Sequence, residues 1–270
     1  MSALDTAAAP VATTTHARPV PSGIPLRRIT TTELRKSFDT RSGLWLMVSI
    51  AVLAVLATAA VVVFASESQQ TYSSFAAAIG VPMTVILPII AILSVTGEWS
   101  QRTGLTTFTL VPRRGLVIAA KVIVSVGVGV ASILLAAAIG AVGNVVGSAI
   151  AGVDTTWDLA TTELLQIALA NVLGLLVGFM LGVLLRSSAA AIVAYFVWSF
   201  VLPTLSGLLA ASQDWFHDLQ PWVDFNFAQS ALYNGTLSAT QWAHLAVTGT
   251  GWLLLPTALG VWLVMRAEVK

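Results

Sequence analysis

Six long runs of uncharged, mostly apolar residues constrain this chain more than any other feature. Each run is long enough to cross the hydrocarbon core of a bilayer, which takes about 20 helical residues. The runs are continuously apolar, whereas the strands of a membrane barrel alternate between apolar and polar residues. A composition of 57% hydrophobic and 9% charged residues agrees with a membrane protein. The sequence therefore predicts an all-α integral membrane protein with six transmembrane helices in residues 44–270, at about 44–65, 75–96, 116–143, 164–185, 189–210 and 243–265.

The segment before the first run is polar. Residues 1–25 are rich in Ala, Thr and Pro and have few apolar side chains to bury, which predicts a disordered tail. Residues 26–43 are predicted to form an amphipathic interfacial helix that leads into the first span. Thr30 followed by Glu33 has the spacing of a capping box and predicts the start of this helix. Three apolar side chains can share one of its faces: Ile29, Leu34 and Phe38.

The positive charges predict the orientation of the six spans. All 13 Lys and Arg residues lie in the N-terminal segment, in the link between spans two and three or the first residues of span three, in the link between spans four and five, or at the C-terminal end. With six spans, these four regions lie on the same side of the membrane. Cytoplasmic loops carry the excess of Lys and Arg in membrane proteins. Both termini are therefore predicted to be cytoplasmic.

Several classes of function lack their sequence signals. The chain has no Cys, and His16, His217 and His244 lie in different segments, so no metal site is predicted. The chain contains no HExxH, GxSxG or GxxxxGK[ST] motif, so the sequence predicts no hydrolytic active site and no nucleotide-binding site in this chain. The basic charge is explained by topology rather than by nucleic-acid binding. The middle of every span lacks an ionisable residue, which disfavours an ion-coupled transporter.

The stretch "GEWSQRTGLTTFTLVPRRG", residues 97–115, concentrates charge between spans two and three. Part of it predicts a short helix along the membrane face, after which the chain turns into span three. Lys121, near the start of that span, is expected to extend its ammonium group to the lipid headgroups. From the residues alone, a partner-binding element and a loop that only fixes topology are both compatible with this stretch.

Four segments together resemble the ABC-2 type permeases, the membrane subunits of ABC exporters. They are "ELRKSFDTRSG" before span one, "GEWSQRTGLTTFTLVPRRGLVIAAK", "DFNFAQSALYNG" before span six, and the terminal "VWLVMRAEVK". The second is the most specific, and it is similar to the form common in actinobacterial permeases. The resemblance implies a coupling helix between spans two and three that docks on an ATPase subunit, together with the N-terminal helix. The residues implied at this interface are Glu98, Arg102, Thr103, Gly104, Arg113, Arg114, Glu33, Arg35 and Lys36.

The resemblance also implies an assembly in a bacterial inner (plasma) membrane. Two permease copies, as a homodimer or heterodimer, would join two ABC ATPase subunits, which would hold the ATP and Mg²⁺. This chain itself would need no cofactor. The seam between the copies would be formed mainly by spans one and five. The segment between spans five and six would form re-entrant helices.

Small and polar residues within the spans give further predictions. Gly174, Gly178 and Gly182 form one ridge of span four, and packing within a single subunit is the favoured role of this ridge. Four prolines are expected to bend their helices as permanent kinks or as hinges: Pro82, Pro88, Pro203 and Pro256. Four polar or amphipathic side chains either line a substrate path or form hydrogen bonds between helices: Asn171, Tyr195, Trp198 and Ser199.

These observations lead to two functional hypotheses. The first is the permease subunit of an ATP-driven exporter that moves an apolar or amphipathic compound, such as a drug, an antimicrobial peptide or a lipid, out of the cell. The second is a membrane anchor or scaffold that recruits a cytoplasmic partner without transporting anything. An enzyme is disfavoured, because a buried active site needs clustered acids or histidines.

Overall fold

The computed structural model describes residues 24–39, 41–100 and 114–266. The described part is helical and has no strand beyond an isolated bridge between Thr71 and Thr156. It contains six helices long and apolar enough to span a membrane, which confirms the predicted all-helical architecture and indicates a multi-pass membrane protein. Most of the predicted tail and the end of the chain after residue 266 lie outside the described residues. The spans, numbered one to six, are Arg41–Phe64, Tyr72–Ser100, Arg114–Ala151, Thr161–Leu185, Ser188–Ser212 and Ala239–Arg266.

The N-terminal helix runs from Leu26 to Asp39, so it begins at the first residue of the predicted range 26–43 and not at the predicted capping box. Thr30 lies inside this helix, where its hydroxyl donates to the Arg27 carbonyl at 2.9 Å. The predicted capping box of Thr30 and Glu33 is therefore wrong. The carboxylate of Glu33 is bonded to lysine side chains instead of the helix start.

Span three is an unbroken helix of 38 residues, so at about 1.5 Å per residue it is about 57 Å long. It continues past its predicted end at Gly143 to Ala151, because the polar side chain of Asn144 finds a partner. Asn144 Nδ2 donates to the Thr156 carbonyl at 2.9 Å, in the link that follows the span. The helix can therefore continue through a polar residue.

The link between spans three and four folds across the N-terminal end of span two. The Thr156 carbonyl also accepts from the Tyr72 amide at 3.1 Å. Asp158 accepts from the amide and the hydroxyl of Ser73 at 2.7 and 2.6 Å, which satisfies a free N–H group of the helix terminus. Partial desolvation opposes the charged form of Asp158, but these hydrogen bonds outweigh it and lower the pKa of its carboxyl.

Span four lies at the centre of the packing. One apolar cluster joins it to spans one, two, three and six, and a second joins it to spans five and six and to the segment between them. Its glycine ridge faces span two. A Cβ atom on Gly178 would lie 2.5 Å from the Pro88 carbonyl oxygen, and one on Gly182 would lie 3.3 Å from that of Ile92. The ridge therefore lets the two helix backbones approach closely within one chain.

Spans five and six are each interrupted by a π-helical turn, Val197–Val201 and Thr250–Leu254. Each turn ends two residues before a proline, Pro203 or Pro256. A proline lacks the N–H that an α-helix needs, and a wider turn is one way to pass this defect. By contrast, span two continues as an α-helix through Pro82 and Pro88.

Two short helices, Asp214–Val223 and Phe225–Ser230, connect spans five and six. Asp224 caps the second by accepting from the Phe227 amide at 3.1 Å. Phe225 is buried, and Gln229 Nε2 donates to the Ala170 carbonyl of span four at 2.7 Å. The second short helix therefore folds back into the bundle instead of crossing over its end.

Candidate functional site

Four charged side chains form a compact group where the N-terminal helix meets spans two and three. Lys121 Nζ lies 2.6 Å from Glu33 Oε2 and 3.2 Å from Glu98 Oε1. Lys36 Nζ lies 2.7 Å from Glu33 Oε1 and 3.1 Å from Glu98 Oε1. We refer to Glu33, Lys36, Glu98 and Lys121 as the ionic cluster. It contains two carboxylates and two ammonium groups and thus has no net formal charge.

Burial makes the ionic cluster consequential for the fold. Side chains of Glu33, Glu98 and Lys121 are 8%, 6% and 7% exposed. The third proton of the Lys121 ammonium can be used as well, since Nζ donates to the Ser94 carbonyl at 2.9 Å. Removing one member of a buried ionic group leaves an uncompensated charge, which costs about 3–5 kcal/mol. The cluster therefore fixes the N-terminal helix to the bundle.

Lys36 lies at the solvent edge of the ionic cluster. Its side chain is 45% exposed, unlike the other three. Desolvation alone would lower the pKa of Lys36, but the hydrogen bonds and charges of Glu33 and Glu98 outweigh it and raise the pKa above its usual value of 10.5. Lys36 therefore stays protonated at physiological pH.

The predicted position of Lys121 at the lipid headgroups is wrong. The side chain points into the ionic cluster because two carboxylates on neighbouring helices offer a better partner than the interface. The predicted apolar face of the N-terminal helix also differs. Ile29 is buried, together with Glu33, whereas Leu34 and Phe38 are 43% and 49% exposed. The buried face of this helix is thus centred on a carboxylate.

The other residues implied at the coupling interface fall into two groups. Arg35 is exposed on the N-terminal helix, beside the ionic cluster in sequence. Arg102, Thr103, Gly104 and Arg113 lie outside the described residues, as does the predicted coupling helix itself. Arg114 begins span three, and its side chain is also outside the described part. The structure thus gives the geometry of Glu33, Lys36 and Glu98 from this set.

A second candidate site is a cavity of about 300 Å³ between spans two, four and five and the second short helix. All four residues predicted for a substrate path or for helix contacts line it: Asn171, Tyr195, Trp198 and Ser199. Tyr195 also joins two helices, because its hydroxyl donates to the Thr84 carbonyl at 2.6 Å. The polar residues of spans four and five are therefore brought together at one place.

Three side-chain amides line this cavity, and each uses its NH₂ group on a main-chain carbonyl. Asn171 Nδ2 donates to Ile167 at 2.9 Å, Asn226 Nδ2 to Trp198 at 3.3 Å, and Gln229 Nε2 to Ala170 at 2.7 Å. We call this space the amide cavity. Asn226 and Gln229 were not singled out from the sequence. The stretch "DFNFAQS" does hold their signal, because two amides spaced by three residues lie on one face of a helix.

The described residues contain no group of three or more His, Asp or Glu side chains placed to hold a metal ion. Neither a known protein-family model nor a curated protein sequence matches the chain.

Proposed function

We propose that this protein is the permease subunit of an ATP-driven exporter of the ABC-2 type. The single observation that carries the proposal is the ionic cluster, which bonds the N-terminal helix to both spans that flank residues 101–113. In the resemblance noted from the sequence, those residues form the coupling helix. A force applied by an ATPase to the N-terminal helix would reach spans two and three through the ion pairs of the cluster.

The distribution of exposed surface supports a second permease copy. Buried residues make up only 11% of an apolar 18-residue stretch of span one and 6% of the corresponding stretch of span five, against 50% in span four. These are the two spans that the resemblance places at the seam between copies. We propose that they contact lipid on one side and the second copy on the other.

The compound exported is proposed to be apolar or amphipathic. The amide cavity combines aromatic walls with a few polar groups, which is the usual lining of a small-molecule site. ATP and Mg²⁺ belong to the separate ATPase subunit in this proposal. The membrane is proposed to be the bacterial inner membrane, with both termini in the cytoplasm.

Purification from the native host tests the assembly. The tagged permease, solubilised in mild detergent, is expected to copurify with a P-loop ATPase at one copy per permease, identified by mass spectrometry, and the complex should hydrolyse ATP. Recovery of intact permease in good yield but without an ATPase would contradict the proposal. That outcome would favour the membrane scaffold.

A matched pair of variants then tests the role of the ionic cluster in the purified complex. Glu98→Gln removes one charge from the cluster, and it should reduce the ATPase activity of the complex while the protein remains in the membrane. Glu67→Gln makes the same change in the link between spans one and two, at the other end of span two, and should leave the activity unchanged. Equal activity of both variants would count against coupling through the cluster.

A further inference from the structure

The amide cavity lies at the mid-depth of the spans that form it. Thr84, Asn171 and Ser199 line the cavity from spans two, four and five, and each lies within two residues of the middle of its span. Water is scarce at this depth of a bilayer, so a polar group without a partner in the protein stays unsatisfied there. A cavity with polar walls in this position therefore favours a ligand that brings its own hydrogen-bonding groups.

The second short helix supplies the cavity with both donors and acceptors. Asn226 and Gln229 are half-buried, and each donates one N–H to a main-chain carbonyl. Each amide keeps a second N–H and an oxygen without a partner in the described part of the chain. The Gln229 amide borders open space, because a Cβ atom on Gly174, which also lines the cavity, would still lie 3.7 Å from Nε2. By contrast, the Asn171 oxygen is enclosed by protein and plays no part.

The lining disfavours a charged ligand. None of the described residues that line the cavity is charged. A charge in the middle of a membrane needs an ion-pair partner or a path to water. The aromatic rings of the lining attract cations, but this attraction is weaker than the cost of an unpaired charge at this depth. The cavity therefore favours an uncharged polar group over an ammonium group or an anion.

The cavity opens at the surface of the bundle. Three residues of its lining are exposed in the described part of the chain: Thr84, Phe200 and Tyr233. At mid-depth this surface faces the acyl chains of the lipid or a second copy of the protein. A ligand can therefore place its polar group in the cavity while an apolar chain attached to it stays outside.

We propose that the amide cavity binds the polar group of an uncharged amphiphile that both donates and accepts hydrogen bonds. A primary carboxamide is the simplest group of this kind, since its N–H groups and its oxygen can pair with the free oxygen and N–H of Asn226 or Gln229. Binding to the cavity stands on the geometry of a single chain. The identification of such a compound as the one exported rests on the proposed function.

The experiment uses the full-length protein alone in lipid nanodiscs at pH 8. The probe is a decanamide that carries a photoreactive diazirine in its chain, and labelled peptides are identified by mass spectrometry. Saturable labelling of residues 195–203 is expected. Unlabelled decanamide should compete at least tenfold more strongly than decylamine or decyl sulfate, which are charged, and than methyl decanoate, which lacks a donor. Each competitor is corrected for its partition into protein-free nanodiscs.

A matched pair of glycine variants tests the location of the site. Gly174→Val adds methyl groups on the cavity wall beside Gln229 and should reduce the labelling about tenfold. The first added atom makes only ordinary van der Waals contacts, so the bundle should stay folded. Gly207→Val makes the same change in span five, outside the lining and with nothing within 4 Å of the Cβ position, and should leave the labelling unchanged.

A carboxylate placed in the cavity tests its selection against charge. Gln229→Glu should increase the competition by decylamine, relative to that by decanamide, at least tenfold, because the ammonium group then finds an ion-pair partner. A gain of this kind cannot arise from misfolding. Gln241→Glu makes the same change at an exposed position outside the lining and should have no effect.

Four results would each overturn the proposal: no saturable labelling, equal competition by any of the three analogues, undiminished labelling of Gly174→Val, or the same preference in Gln229→Glu as in Gln241→Glu. These measurements need no ATPase. A failure to bind decanamide is therefore distinguishable from a failure to copurify an ATPase, which tests the proposed function.

Discussion

At the scale of single residues, two glycines differ in whether a close helix contact requires the absence of a side chain. The Cβ that Gly178 lacks would meet main-chain atoms of Pro88 at 2.5 and 2.8 Å, and main chain can make room only if span two moves. Gly127 lies in span three with nothing within 4 Å of the corresponding position. The two residues therefore offer the same substitution in opposite environments.

We predict that Gly178→Ala destabilises the protein by about 1–3 kcal/mol, as expected for overpacking against a rigid neighbour. Gly127→Ala should be neutral or stabilising by less than about 1 kcal/mol, since alanine favours helix and meets no obstacle. Thermal unfolding of the detergent-solubilised variants, followed by tryptophan fluorescence, measures both. A loss of the same size in the two variants would show that helix packing at Gly178 is not special.

At the scale of elements, the π-helical turn in span five shows how a proline defect is repaired. The Leu202 amide bonds to the Val197 carbonyl, so the next donor in the π pattern would come from Pro203, which has none. The carbonyl left over belongs to Trp198, and Asn226 Nδ2 donates to it at 3.3 Å. The second short helix therefore supplies the hydrogen bond that span five cannot make for itself.

This repair predicts a coupled pair of substitutions. Asn226→Leu should destabilise the protein by about 1–3 kcal/mol, because the Trp198 carbonyl loses its partner. In a Pro203→Ala background the alanine amide can serve that carbonyl, so the same Asn226→Leu change should cost clearly less. Thermal unfolding of the unchanged protein, the two single variants and the double variant gives the interaction energy between positions 203 and 226. Equal costs in the two backgrounds would contradict the repair by Asn226.

The sequence predicts the helical elements themselves but not the contacts between distant elements. The six spans follow from length and apolarity, and all six are found. The pairing of Lys121 with Glu33 joins residues 88 positions apart, and no local pattern encodes it. The capping box failed for a related reason: Glu33 has the right spacing for a local bond, but a buried lysine on another helix is the stronger partner. The amide cavity likewise depends on a short helix folding back onto span four.

At the scale of the whole molecule, orientation is a prediction that the chain makes easy to test, because it contains no Cys. Ser68→Cys places an exposed thiol between spans one and two, and Thr31→Cys places one on the N-terminal helix. A membrane-impermeant maleimide should label Ser68→Cys in intact cells and Thr31→Cys only after the membrane is opened. The reverse pattern would show that the termini lie outside, against the charge distribution.

The length of span three has a mechanical consequence. A helix of about 57 Å exceeds the hydrocarbon core of about 30 Å, so part of it must project beyond the lipid or tilt within it. Lys121 sits near one end of this helix, and Asn144 holds the link to span four near the other. Because the helix is unbroken, a rotation at the end that the ionic cluster holds would also displace the end that carries Asn144, by a distance that grows with the length of the helix.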